Sequence, residues 1–111
     1  MKLITKEIER RLEKHPFGSQ ICNGDAQVLV KFFGGSACTW LVTEAERTDD
    51  GSWDFYGLAN IGYGWEWGWF SLKELESVKF PPFGLSVERD MYLPAETKVM
   101  DIIKEDDEWV I

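Results

Sequence analysis

Histidine occurs once in this chain, at His15, and cysteine twice, at Cys22 and Cys38. A His-based metal centre or a Ser/Cys–His pair would have to be built on that one imidazole, beside Pro16 at a predicted helix end. The plainer reading of His15 is an exposed terminal side chain that favours the helix dipole. Two cysteines at this spacing carry no zinc or redox pattern, so they read as reduced thiols that could form one bridge at most. A P-loop, a dinucleotide fingerprint and an HExxH motif are all missing. Gly62-Tyr63-Gly64 has half the glycines of a phosphate loop but precedes a strand, which removes it as a phosphate site. Apolar runs of about 18 residues are also absent. The charged start Met1-Lys2-Leu3-Ile4-Thr5-Lys6 is no secretory signal, so a soluble, cytoplasmic chain without a membrane partner is expected. These gaps lead us to expect no catalytic residue, no metal and no cofactor.

Basic charge is the other scarcity. The formal net charge is −8, unevenly placed: residues 1–15 balance at +2, leaving −10 for residues 16–111. A body this acidic repels phosphate backbones, which argues against direct binding of duplex DNA by counterion release. Solubility alone accounts for such a charge in many proteins. The 111 residues suit a single domain, 1–111, able to bury about two thirds of its unfolded surface without help from metal or disulfides.

What the chain does have is aromatic side chains, concentrated in Trp53–Phe70. Trp65, Trp67 and Trp69 recur with period two, which on a strand places three indoles on one face. Buried under a helix, such a row anchors a core. Left open, it is a stacking platform for bases or sugars. Gly64 and Gly68 leave room for close approach under either reading.

Along the chain, Thr5 caps a helix carrying Ile8 and Leu12 four apart, closed by His15-Pro16 and Gly18. Asn23-Gly24-Asp25 turns into a strand, Ala26–Phe33, with Val28, Val30 and Phe32 expected on one face. Gly34-Gly35-Ser36 turns again, and Ala37–Glu46 returns with Trp40 and Val42 together and Leu41 opposite. Thr48-Asp49-Asp50-Gly51 has hairpin chemistry and leads into a third strand at Trp53–Ala59. Ser71-Leu72-Lys73-Glu74 reads as a capping box, with Phe70 and Leu75 as its apolar flanks and a short helix to Val78. Pro81-Pro82 stops that helix. Leu85–Asp90 reads as a last strand with Leu85 and Val87 inward, and Pro94 opens a final helix through Val99, Ile102 and Ile103, ending near Lys104. The expected fold is α+β: an antiparallel meander of four to five strands with N-terminal, central and C-terminal helices packed against it.

Carboxylates supply the remaining candidates. Glu44, Glu46, Asp49, Asp50 and Asp54 fall on or beside one hairpin, and alternation puts Glu44 and Glu46 on one side of the second strand. A hydrolase built on Glu44, Glu88 and Asp90 has no support from spacing; Glu88 and Asp90 read as surface charges flanking Arg89. The run Glu105-Asp106-Asp107-Glu108 is a second acidic group, whose plainer reading is a solubilising terminus.

Taken in order, Leu3-Ile4-Thr5-Lys6-Glu7, Val30-Lys31-Phe32-Phe33, Thr39-Trp40, Val42-Thr43-Glu44, Phe55-Tyr56-Gly57-Leu58, Gly68-Trp69-Phe70-Ser71-Leu72-Lys73-Glu74-Leu75-Glu76 and Gly84-Leu85-Ser86-Val87-Glu88-Arg89-Asp90 resemble a family of short proteins catalogued as domain of unknown function 2958. The last two segments are the most specific, the resemblance runs to about Pro94, and the tail from Ala95 departs from it. The resemblance implies a setting on plasmids, integrative elements and phages, often near genes that counter host defences, and no activity. Together with the charge it suggests a non-enzymatic protein that binds a basic partner through Glu44, Glu46, Asp49, Asp50 and Asp54. An anti-defence inhibitor seated in the nucleic-acid groove of a CRISPR effector or restriction enzyme is the specific form expected. The alternative is a module that stacks single-stranded nucleic acid or carbohydrate on Trp65, Trp67 and Trp69.

Overall fold

A computed structural model describes residues 2–104 and 107–109; Glu105 and Asp106 of the acidic run lie outside the described residues. The Thr5 hydroxyl accepts from the Ile8 N–H at 3.2 Å and starts helix α1, Lys6–Glu13, whose Leu12 is buried. Strands β1 (Val30–Gly34), β2 (Cys38–Arg47), β3 (Trp53–Asn60) and β4 (Glu66–Ser71) follow as an antiparallel meander. After helix α2 (Leu72–Ser77), β5 (Lys79–Phe80) and β6 (Leu85–Ser86) make a small hairpin, and β7 (Glu88–Arg89) returns to pair with β1. The main sheet therefore runs β4-β3-β2-β1-β7, and α3 (Val99–Ile102) follows β7 in the chain. The α+β meander is the architecture expected.

Alternation gives this sheet two cores, one on each side. The first holds Phe32, Trp40, Val42, Trp53, Phe55 and Phe70, and it is covered by Leu3, Ile4 and Leu12 from the N-terminal segment and Leu75 of α2. The second holds Ala26, Val28, Leu41, Leu58 and Trp65 beneath Val99 and Ile103. Trp40 and Val42 share the first core while Leu41 lies in the second, as β2's period requires.

Three expectations are corrected. Val28 does not share a face with Val30 and Phe32: it sits in the second core, because Leu29 and Val30 are consecutive members of the first. The regular ladder breaks there: Leu29 N–H donates to Val42 C=O (2.8 Å), the residue that Val30 also opposes, while the residues before it pair with the chain near α3 through Val28 N–H to Thr97 C=O (2.8 Å) and Val99 N–H to Ala26 C=O (2.9 Å). That pairing also displaces the expected helix start at Pro94. Pro94–Thr97 is a turn, and α3 begins only at Val99, where Asp101 accepts from the Lys98 N–H. Leu85–Asp90 is likewise two short strands belonging to different sheets, so Val87 is buried and Leu85 is 63% exposed.

Among the described residues no helix is long and apolar enough to cross a membrane. Cys22 and Cys38 are free thiols, the first exposed and the second half-buried.

Candidate functional site

The second face of the sheet is only half covered. Cross-strand register sorts its side chains into rows: Leu41, Leu58 and Trp67; then Glu44, Tyr56 and Trp69; then Glu46, Asp54 and Ser71. The face thus grades from apolar to aromatic to acidic within three rows. Val99 and Ile103 cover the first row. The rest is left to one loop and to solvent.

The tryptophan row follows this gradient. Trp65 is 8% exposed and belongs to the second core, Trp67 is half-buried, and Trp69 is 66% exposed. The expected platform of three indoles is therefore reduced to one open ring and one partly open ring. Two further aromatics that sequence reasoning did not select complete it. Tyr56 stacks on Trp67 (5.9 Å between centroids, 17° between planes) and lies 4.6 Å from Trp69. Phe17 stands edge-on to Trp69 at 4.7 Å and 88°. The place of Tyr56 was readable from parity, since it alternates with Trp53 and Phe55. Phe17 comes from a loop and carried no periodic signal.

Phe17 is held in place by the carboxylates of β2. Glu44 is buried, 4% exposed, and accepts from the N–H groups of Gly18 (3.0 Å) and Gln20 (2.7 Å). Glu46 accepts from the Phe17 N–H at 3.2 Å. The loop is fastened further by Gln20, whose amide bonds the Gln27 and Thr43 carbonyls. A β-bulge between Val42 and Glu44 shifts the register here, bringing Glu44 opposite Tyr56 and Glu46 opposite Asp54. Tyr56 receives the Cys22 thiol at 3.6 Å, and this contact, with burial, pushes its phenol pKa up.

The five expected acidic residues thus separate into different roles. Glu44 is a buried clamp and is not available to a partner. Asp50 fixes its own turn: it accepts from Thr48, Ser52 and the Lys73 ammonium, and these bonds, Lys73 first, hold its carboxyl well below the usual range. Asp49 is exposed at the hairpin tip, beside an open cleft of about 330 Å³ lined also by Asp54, Ser71 and Lys73. Glu46 and Asp54 are exposed and directly opposed, and among the described residues no basic side chain pairs with either. Glu88 and Asp90 lie beyond the other side of the sheet, past β1, where Asp90 faces Lys31 at 3.9 Å; they do not meet Glu44.

His15 is half-buried, not exposed. Its pKa is lowered, chiefly by burial and then by Arg11 and Lys14, so the neutral form is favoured and no cation is offered to the helix end. Its backbone carbonyl accepts from Ala45 N–H at 2.9 Å, joining the end of α1 to β2. Among the described residues no group of three or more His, Cys, Asp or Glu side chains is placed to hold a metal ion.

A family model described as protein of unknown function, DUF2958, matches residues 3–108. The chain belongs to this family. The match carries through the segment after Ala95, where the resemblance in sequence was expected to end, so the DUF2958 unit includes α3 and reaches Glu108, whose C=O accepts from the Trp65 N–H. No curated protein and no solved structure matches the chain.

Proposed function

We propose that this member of the DUF2958 family is a non-enzymatic binding protein that takes a basic protein surface onto the open half of its second sheet face. The observation that carries the reading is the Glu46–Asp54 pair, like charges directly opposed with no cation paired to either among the described residues, set beside the exposed Trp69. Such a pair lowers stability in the free protein. It becomes favourable when an Arg or Lys arrives between the two carboxylates, and an indole face beside them binds the same cation. Aromatic anchors with a charged rim are also the anatomy of protein interfaces. The specific form, an inhibitor occupying the basic nucleic-acid groove of a CRISPR effector or restriction enzyme, rests on the resemblance to mobile-element proteins and on the net charge of −8.

The test is affinity capture from a lysate of the cells that encode the protein, across a salt series, with the wild type and an Glu46→Lys/Asp54→Lys variant in parallel. A partner retained at low salt by the wild type and lost with the variant is expected. Identical capture by both would remove this face from the interaction.

A second reading is favoured by the 66% exposure of Trp69: stacking of a sugar ring, with Glu46 and Asp54 accepting from its hydroxyls. The same carboxylates repel phosphates and so disfavour single-stranded nucleic acid. Tryptophan quenching by glycans at millimolar concentration, absent in Trp69→Ala, separates this reading from the first.

A further inference from the structure

Strand β4 is an edge of the main sheet, with β3 on its inner side. The Trp65 N–H points outward and donates to the Glu108 C=O at 2.9 Å, and Trp109 bridges Trp65 in parallel. Strand alternation carries that outward direction to every second residue. The register from Glu66 to Ser71 is unbroken, so the backbone groups of Trp69 and Ser71 also face away from β3. Among the described residues no strand lies against this stretch. The Ser71 hydroxyl accepts from Glu74 N–H, while the reciprocal bond expected of a capping box, from Ser71 N–H to the Glu74 carboxylate, is not formed. A strand-like segment already pairs at Trp65, just before β4, and among the described residues no strand continues it along the edge.

We propose that the outer edge of β4 receives an extended, basic segment of a protein partner as an added strand. This rests on the reading that the second face binds a basic protein, and it supplies that reading with a backbone geometry. Main-chain hydrogen bonds along an edge give affinity, and alternate side chains give specificity. A residue of the added strand beside Trp69 projects along the exposed indole. One beside Ser71 passes over a small side chain toward Asp54, about 10 Å away at two strand spacings and within reach of an extended arginine. Exposed Glu66 and Glu74 flank the same edge. The side-chain chemistry therefore selects a strand with Arg or Lys at alternate positions.

The test uses a decapeptide of alternating arginine and valine, blocked at both ends, with the intact protein. Two derivatives carry N-methyl groups on all arginines or on all valines. In an added strand only one of those sets of N–H groups faces β4. One derivative should lose binding at least tenfold while the other stays near the parent peptide. Amide exchange at Trp69 and Ser71 should slow when the parent peptide is added, with no change at Gly68 and Phe70. If both derivatives bind like the parent and Trp69 is unprotected, docking is by side chains alone; the strand proposal falls and the basic-partner reading stands. Loss in one derivative that persists in Glu46→Lys/Asp54→Lys upholds the strand and removes the charge reading. Absence of binding by the parent peptide overturns the proposal.

Discussion

Glu46 and Asp54 face each other across β2 and β3 on an exposed sheet surface, while one residue further along the same pair of strands Arg47 faces Trp53 on the opposite side. The second pair is fully used. The Arg47 guanidinium lies 4.5 Å from the Trp53 ring centroid and bridges to Glu9 and Glu13 of α1, and the Trp53 indole N–H donates to Glu9 at 3.2 Å. One side of the hairpin is thus ion-paired and bound to the helix, while on the other no basic side chain among the described residues pairs with Glu46 or Asp54.

That asymmetry predicts a trade between stability and binding. Asp54→Lys should raise the unfolding free energy by about 0.2–1 kcal/mol, by replacing a like-charge pair with an opposite-charge one. It should also weaken salt-sensitive binding of a basic partner. Urea denaturation and a binding series at low and moderate salt check the two halves. A variant that is less stable than wild type would contradict the assignment of this pair as strained.

Glu44 should behave in the opposite way. Its carboxylate accepts two backbone N–H groups while buried, and a charged acceptor of this kind contributes about 1.5–3 kcal/mol per bond. Glu44→Gln should cost at least about 1.5 kcal/mol and loosen the Phe17 loop. Increased proteolytic cutting near Gly18, with a lower urea midpoint, is the expected result.

Two glycines of the aromatic stretch should respond differently to alanine. A Cβ at Gly57 would lie 1.9 Å from the Leu41 carbonyl oxygen, inside the backbone of the neighbouring strand, whereas one at Gly68 meets nothing within 4 Å. Gly57→Ala should destabilise by about 1–3 kcal/mol or prevent folding. Gly68→Ala should be neutral or stabilising by about 0.5–1 kcal/mol, since it only restricts the unfolded chain. Thermal melts of both variants decide this.

Much of this arrangement was legible where local chemistry acts alone. Thr5 and Ser71 cap their helices, Thr48-Asp49-Asp50-Gly51 makes its hairpin, and the period of β2 and β3 assigns Trp40, Val42 and Phe55 to one side. The misreadings fall where distant segments meet. Val28 changes faces because Leu29 and Val30 both oppose Val42 and both enter the first core, and Pro94 opens no helix where the chain near Thr97 pairs with Val28. In the candidate site, parity placed the three tryptophans on one face but could not say that α3 and Ile103 cover only one end of it. Sequence proximity grouped five carboxylates, and the fold spent Glu44 and Asp50 on its own backbone and Lys73.

The last prediction is a pH dependence with two separate windows. His15 has a folded-state pKa below its ordinary 6.5, because burial and the neighbouring Arg11 and Lys14 disfavour the cation. The unfolded chain therefore binds the proton more tightly, and stability rises with pH across the interval between the two values. It is fully present above about pH 6.5 and declines as the pH falls through that interval. Glu9 and Asp50 are also depressed, Glu9 chiefly by the Trp53 indole N–H and Asp50 chiefly by Lys73, so their contributions are present above the ordinary carboxylate range and fade below it. Urea midpoints should then fall first just below pH 6.5 and again below about pH 4. His15→Gln should erase the first decline and leave the second, whereas Lys73→Met should reduce the second alone. A first decline that survives in His15→Gln would show that another group controls it.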